Sequence, residues 1–173
     1  MDKKPSTDFV DRLCPHCGLC CNGVLFADVE LRKADDARRL ADAGLSLFEK
    51  GPATAFHQPC SCFDGQFCRI YPDRPVRCRT FECGLLKRAQ AGQITVSAAL
   101  KRIDDARRRV QKVQRLVRRL GQNDGQMALA HRYARAMSEP VDLSGARHAP
   151  DLHGNLLRAF EQLMQVLQRD FLK

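Results

Sequence analysis

The chain lacks any hydrophobic run long enough to span a membrane, and it lacks an apolar leader. No segment approaches the ~18 consecutive apolar residues of a transmembrane helix. Residues 1–12 are polar and charged, whereas a secretory signal peptide contains an apolar stretch. We therefore expect a cytoplasmic protein without membrane contact. In that compartment, clustered cysteines bind metal or carry redox chemistry more often than they form structural disulfides.

Aromatic residues are also scarce, at 6% of the 173 residues, and none lies in the most basic segment, residues 101–119. That segment carries nine Lys or Arg and two Asp, a surplus of +7 in a chain whose formal net charge is +9. Binding of single-stranded nucleic acid depends on aromatic side chains that stack on the bases. We therefore interpret the segment first as a solvated helix face, with nucleic acid or an acidic protein as less favoured partners.

Cysteine, in contrast, is abundant, and the nine cysteines fall into two sets. The first set has the spacing C-x2-C-x2-C-C and consists of Cys14, Cys17, Cys20 and Cys21. Two residues between ligands is the spacing of a metal knuckle, in which two sulfurs reach one ion. Gly18 and Gly23 suit such turns because glycine accepts a positive φ without steric cost.

The second set contains Cys60, Cys62, Cys68, Cys78 and Cys83. The Asp64-Gly65 pair between the earlier members predicts a type I′ hairpin turn. A helix is predicted over residues 76–90, but Cys78 and Cys83 would then lie about 140° apart around it. If both cysteines bind one ion, this helix must be irregular or must begin after Cys78.

The rest of the chain predicts a mainly α fold. We expect an irregular cysteine-rich metal-binding core packed with helices in residues 1–94, and a helical hairpin with a C-terminal helix in residues 95–173. Asp28 predicts the start of a helix over 29–43, and Thr95 the start of a long basic helix. The long helix carries a heptad seam formed by Val96, Ala99, Ile103, Ala106, Val110, Val113, Val117 and Leu120. Such a seam favours an intrachain core and leaves a dimer through this helix as the alternative.

The cysteine pattern continues into a longer motif. After C-x2-C-x2-C-C the chain reads C-x7-C-x-I-Y-x-x-R-P-x-x-C-R-x-F-x-C, from Cys60 to Cys83. This resembles the CxxCxxCC cysteine-cluster family of zinc- or iron-chelating proteins, whose domain also occurs in flagellin lysine N-methylase. The resemblance implies metal chelation by eight cysteines. It does not extend to methyl transfer, since the sequence contains no recognisable S-adenosylmethionine site and lacks the C-x3-C-x2-C spacing of radical enzymes.

The motif predicts eight metal ligands: Cys14, Cys17, Cys20, Cys21, Cys60, Cys68, Cys78 and Cys83. They suit two four-thiolate zinc sites, or iron, including an iron–sulfur cluster. The adjacent Cys20 and Cys21 are expected to serve two neighbouring centres, and Cys62 is expected to be a bystander. Arg74 and Arg79 are predicted to lie behind the ligands and offset thiolate charge. A disulfide set or plain buried cysteines is the alternative.

The predicted function is metal binding, in a protein that acts on or with a partner protein. Two alternatives stay open at this point. One is an iron-dependent enzyme that modifies a protein or peptide. The other is a structural zinc module that presents the basic helix to nucleic acid.

Overall fold

A computed structural model of the protein describes residues 5–139 and 151–172, with side chains from residue 9. The mainly α class is confirmed, since 54% of the structure is helical and 9% is strand. Within the described ranges there are seven α-helices: α1 Pro5–Cys17, α2 Ala37–Asp42, α3 Val76–Thr80, α4 Gly84–Gln90, α5 Val96–Arg119, α6 Leu129–Ser138 and α7 Leu152–Asp170. None of the helices in these ranges is long and apolar enough to cross a membrane.

A small antiparallel sheet was not anticipated from the sequence. Its strands are β1 Asp28–Glu30, β2 Leu47–Lys50 and β3 Ala53–His57, in the order β1-β3-β2. The helix predicted over 29–43 is therefore wrong in its first half, where Val29 pairs with Phe56 of β3. The second half is helical: α2 begins after Asp36, whose carboxylate accepts the Arg39 N–H at 3.0 Å.

Helix α5 lies at the centre of the larger of two apolar cores. The predicted N-cap is confirmed, because the Thr95 hydroxyl accepts the Ala98 N–H at 3.2 Å. Helices α7, α1, α6 and α4 all pack against α5. The seam residues Ala99, Ile103, Ala106, Val110, Val113 and Val117 are 0–4% exposed. The seam is thus filled by intrachain contacts, as the sequence favoured.

The larger core draws on both halves of the chain. It unites Leu13 and Leu85 with residues of α5 and with Leu156 and Leu163 of α7. The division at residue 94 stays a prediction from the sequence. A smaller core, formed by Leu40, Leu45, Phe56, Cys62 and Ile70, lies between the sheet and the second cysteine set.

A buried carboxylate fastens the end of α7 to the helices beside it. The side chain of Asp170 is fully buried and accepts from Arg88 at 3.0 Å, Arg102 at 2.6 Å and Arg169 at 2.7 Å. The neighbouring Phe171 carbonyl accepts the Gly84 N–H at 2.9 Å. These contacts fix the start of α4, which directly follows Cys83.

Candidate metal centre

The last turn of α1 presents the first two cysteines. Cys14 and Cys17 are three residues apart and therefore share one helix face. Gly18 ends the helix with φ +66°, and its N–H donates to the Cys14 carbonyl at 3.2 Å. A side chain at this position would begin 2.8 Å from the ring of Phe63, so glycine is required both for the backbone and for the packing.

Cys20 and Cys21 follow in a tight turn held by Gly18. The Cys21 N–H donates to the Gly18 carbonyl at 2.9 Å, and the Cys20 and Cys21 sulfurs lie 3.7 Å apart. Gly23 then turns the chain with φ +76°, as the sequence predicted. A Cβ there would lie 2.9 Å from the Pro59 ring and 3.1 Å from the Cα of Ala128.

A backbone hydrogen bond joins the two cysteine sets directly. The Cys60 N–H donates to the Cys21 carbonyl at 2.9 Å, across 38 intervening residues of sequence. The turn after Cys60 occurs where predicted, with a bridge between Phe63 and Cys68. It is not type I′, because in this turn only Gly65 has a positive φ. Instead the Asp64 carboxylate accepts the Gln66 and Phe67 N–H groups at 2.8 and 2.6 Å.

The helix region that carries Cys78 is interrupted before it reaches Cys83. The helix expected over 76–90 is divided into α3 and α4, because Phe81 between them has the extended ψ of 122°. Cys83 becomes the N-cap of α4, and its sulfur accepts the Leu86 N–H at 3.4 Å. Because of this break, the angular position of Cys83 is not set by the helix that carries Cys78.

Asp35, which lies outside the cysteine motif, holds the start of α3 in place. The Asp35 carboxylate accepts the Val76 N–H at 2.7 Å and the Arg32 N–H at 2.8 Å. Sequence reasoning missed this contact, because 41 residues separate Asp35 from Val76 and no local pattern connects them.

All eight motif cysteines line one cavity of about 600 Å³. Cys62 does not line it: this thiol is fully buried in the smaller core, 3.8 Å from the Ala43 carbonyl. His16, inside the first set, is exposed, and His57 stacks on the ring of Phe48 at 3.9 Å. Neither histidine lines the cavity.

The cysteines sit between the two cores. Cys17 and Cys83 pack against the larger core, whereas Cys60, Cys68 and Cys78 pack against the smaller one. Among the neighbouring thiols, Cys20 and Cys83 raise the pKa of both Cys14 and Cys17, whereas Cys20, Cys78 and Cys60 raise that of Cys21. Cys20 lies near both sets, because it also raises the pKa of Cys68 and Cys78.

Five of the eight thiols pack against one core or the other, and on that basis we sort the eight into two groups of four, with Cys20 and Cys21 at the boundary. We call the first the α1 group: Cys14, Cys17, Cys20 and Cys83. We call the second the loop group: Cys21, Cys60, Cys68 and Cys78.

Burial keeps most of these thiols protonated in the metal-free chain. It raises the pKa of Cys14 and Cys78 to about 12 and that of Cys60 to about 11, and neighbouring thiols add to the effect. The hydrogen bond between the Cys20 and Cys21 sulfurs has opposite effects on the two thiols. It lowers the pKa of Cys20 and raises that of Cys21. A thiolate forms in this cavity only where positive charge compensates it.

Arg74 supplies such charge. Its guanidinium lies 3.8 Å from the ring centroid of Tyr71, and it lowers the pKa of thiols in both groups: Cys14, Cys20, Cys68 and Cys78. Its Nε is buried without a hydrogen-bond partner in the described residues. An N–H in this state suits a metal-bound thiolate as acceptor.

Arg79 and Arg77 have different surroundings. Arg79 lines the cavity but is exposed, and among residues 5–139 and 151–172 it has no ion pair. Arg77 pairs with Glu30 at 3.7 Å, and its Nε is buried and unpartnered, as that of Arg74 is. Arg74 and Arg77 thus share a buried, unpartnered Nε beside the cavity, while the role predicted for Arg79 from the sequence stays a prediction.

The donor set fits a soft or borderline metal ion. In the part of the chain that is described, no three Cys, His, Asp or Glu side chains already converge at coordinating distance. Eight sulfurs around one cavity nevertheless match the ligand chemistry of zinc and of iron–sulfur centres. The eight motif cysteines would hold the metal, and the metal would supply the positive charge that their burial requires.

The comparisons with known proteins support this interpretation. Neither the curated proteins nor the solved structures contain a match to the chain. The family model CxxCxxCC, described as "Putative zinc- or iron-chelating domain", matches residues 13–102. The match covers more than half of the 173 residues and includes all nine cysteines. The chain therefore belongs to the CxxCxxCC family of zinc- or iron-chelating domains.

Proposed function

We propose that the protein binds two neighbouring metal centres, one in the α1 group and one in the loop group of cysteines. The observation that carries this function is the lining of a single cavity by all eight motif cysteines while Cys62 is left out. The packing of Cys17 and Cys83 against one apolar core, and of Cys60, Cys68 and Cys78 against the other, supports two centres rather than one. The adjacent Cys20 and Cys21 then serve different centres.

The metal is zinc or iron, and the donor set accepts either. Four thiolates hold Zn²⁺ in a closed tetrahedral site, and the same number holds an iron–sulfur cluster. The two metals differ in what they can do. Zinc stabilises the fold and has no redox chemistry, whereas an iron–sulfur centre exchanges electrons and absorbs visible light.

Metal analysis of protein purified without oxygen tests the proposal. We expect about two zinc ions per chain without colour, or iron with visible absorbance and acid-labile sulfide. Single substitutions then test the grouping. Cys14→Ser and Cys60→Ser are each expected to remove one centre and spare the other.

The matched control is Cys62→Ala, which removes a thiol from the same segment but not from the cavity. It is expected to retain the full metal content. Protein that is free of transition metal when native, or that loses as much metal with Cys62→Ala as with Cys60→Ser, would contradict the proposal.

A second candidate function is modification of a protein or peptide by an iron centre. The size of the cavity favours it, because about 600 Å³ lies within the range of small-molecule sites and exceeds what two ions fill. Three of its lining residues, Phe67, Tyr71 and Phe81, are large apolar side chains that are 37–53% exposed. Exposed aromatic rings are common where proteins bind partners.

Exogenous ligands separate the two functions. An iron centre that acts on a substrate keeps an open coordination position, so azide or cyanide is expected to change the spectrum of the iron-loaded protein. A closed four-thiolate centre leaves no such position, and its spectrum is expected to stay the same.

A further inference from the structure

The outer face of α5 carries a row of cations. Lys101, Arg108, Lys112, Arg115 and Arg119 are all exposed and follow one another at intervals of seven, four, three and four residues. At 100° per residue these positions fall within an arc of about 60°, on the side opposite the buried seam. The row extends along about 27 Å of the helix.

Most cations of this row have no ion-pair partner within the described parts of the protein. Arg108 pairs with Asp105 at 3.5 Å, but Lys101, Lys112, Arg115 and Arg119 have no ion pair or hydrogen bond in the described parts of the chain. Residues 106–123 contain no acid at all. Cations three or four residues apart repel each other on a helix, so the row destabilises the isolated helix. A helix selected for solubility alone would alternate the two signs of charge.

Three of the four remaining cations of the helix have partners within the protein, and the fourth, Arg118, is exposed. Arg102 lies at the buried Asp170, Arg109 pairs with Asp105 at 3.0 Å, and Arg107 donates to the His16 carbonyl at 2.6 Å. These three hold helices of the protein together or neutralise a carboxylate. In the outer row Arg108 alone makes such a contact within the described residues, which leaves the other four cations available to a partner.

We infer that this row docks an acidic helix of a partner protein, one whose Asp or Glu residues recur every three to four positions. The spacing of the row is that of a helix face, so an opposing helix with the same period can pair each cation with a carboxylate. The row has no aromatic neighbours on α5 and is flanked near Lys101 by Asp104 and Asp105, although the exposed Arg107 and Arg118 lie beside it. The lack of aromatic rings and the nearby carboxylates disfavour nucleic acid, whose binding relies on stacked bases and a positive surface.

Binding of synthetic peptides to the full-length protein tests the inference. Two labelled peptides of identical composition are compared: one with its Glu residues at the a and d positions of three heptads, and one with the same residues spread around the helix. We expect the aligned peptide to bind about tenfold more tightly at low salt. A triple variant that reverses the charge of three cations, Lys112→Glu, Arg115→Glu and Arg119→Glu, is expected to lose that preference.

The matched control reverses the exposed cations Lys33, Arg38 and Lys87, which changes the net charge equally and is expected to leave the preference intact. Should the α5 triple variant fail to fold, Lys112→Gln, Arg115→Gln and Arg119→Gln replace it with good helix formers. Equal binding of the two peptides overturns the inference. So does a duplex DNA that binds as tightly as the aligned peptide and depends on the same three cations.

Discussion

At the scale of single residues, the metal site depends on a few side chains and glycines that occupy fixed positions. Arg74 influences thiols of both cysteine groups, although it belongs to neither of them. Gly18 and Gly23 permit the close approach of the first cysteine turn to Phe63 and Pro59. We therefore expect replacement of Arg74 to affect metal retention and replacement of Gly23 to affect folding.

The first prediction concerns Arg74. Arg74→Gln is expected to weaken metal retention by about 10- to 100-fold, because it removes the half-buried charge that compensates the thiolates. Arg79→Gln, at an exposed position on the same cavity, is expected to have a smaller effect. Competition with a chelator measures both. Equal losses in the two variants would show that general charge rather than position is responsible.

The second prediction concerns Gly23. Gly23→Ala is expected to destabilise the protein by roughly 2 kcal/mol or more, since it adds a backbone clash to a left-handed conformation. Gly44→Ala is the control, because Gly44 also has a positive φ but open space around its Cα. Urea unfolding of both variants measures the difference. A loss at Gly44 as large as that at Gly23 would mean that the contact with Pro59 is unimportant.

At the scale of secondary structure, the helices hold the cysteine segments in place through few but specific contacts. The break between α3 and α4 sets Cys83 at a helix start, and Asp170 fixes the neighbouring helices to α7. The pKa of Asp170 is lowered by its hydrogen bonds with Arg169 and Arg88, and by the charge of Arg102, against the effect of burial.

The third prediction follows from this carboxylate. Asp170→Asn is expected to destabilise the protein by about 3–5 kcal/mol, because three guanidinium groups lose a buried partner. Asp104→Asn, an exposed change on α5, is expected to cost less than about 0.5 kcal/mol. The lowered pKa also means that the contribution of Asp170 is present above the unfolded value near 3.8 and is lost as the pH falls through the folded value.

The elements show which parts of the fold the sequence could predict. The α5 seam was predictable because its period of three and four residues is local and strong. The strand at Asp28–Glu30 was not, because its partner Phe56 lies 27 residues away and Val29 fits a helix equally well. The eight cysteines that line the cavity were singled out by their spacing, and their role as ligands stays a prediction. The two groups that we propose rest on long-range contacts with the two cores, and no local pattern contains that information.

At the scale of the whole molecule, the cavity couples metal binding to folding. The metal-free chain holds eight half-buried thiols around the cavity, most of which have a raised pKa. Metal binding must release the protons of those that become thiolates, so affinity is expected to rise with pH. The formal net charge of +9 treats these thiols as neutral, and it falls when they ionise.

The fourth prediction concerns the stability of the metal-free chain. Its cysteines titrate near 9.0 when unfolded and, for Cys14 and Cys78, near 12 when folded. Thiols with a raised pKa contribute to the free energy of unfolding. This contribution is complete below pH 9 and is lost as the pH rises toward 12. The melting temperature of the reduced, metal-free protein is thus expected to fall across this range, and that of the metal-loaded protein to fall less. A parallel fall in both would contradict the assignment of these thiols as ligands.

The hydrogen bond from Cys60 to the Cys21 carbonyl also has a consequence for biosynthesis. A ribosome adds about 5–20 residues per second, so Cys83 is incorporated about 3–12 s after Cys21. At the start of that interval the nascent chain carries four of its nine cysteines and lacks the segment that shelters them. These four are then open to oxidants and to unintended ions. The loop group is complete only once translation has passed Cys78, and the α1 group only once it has passed Cys83.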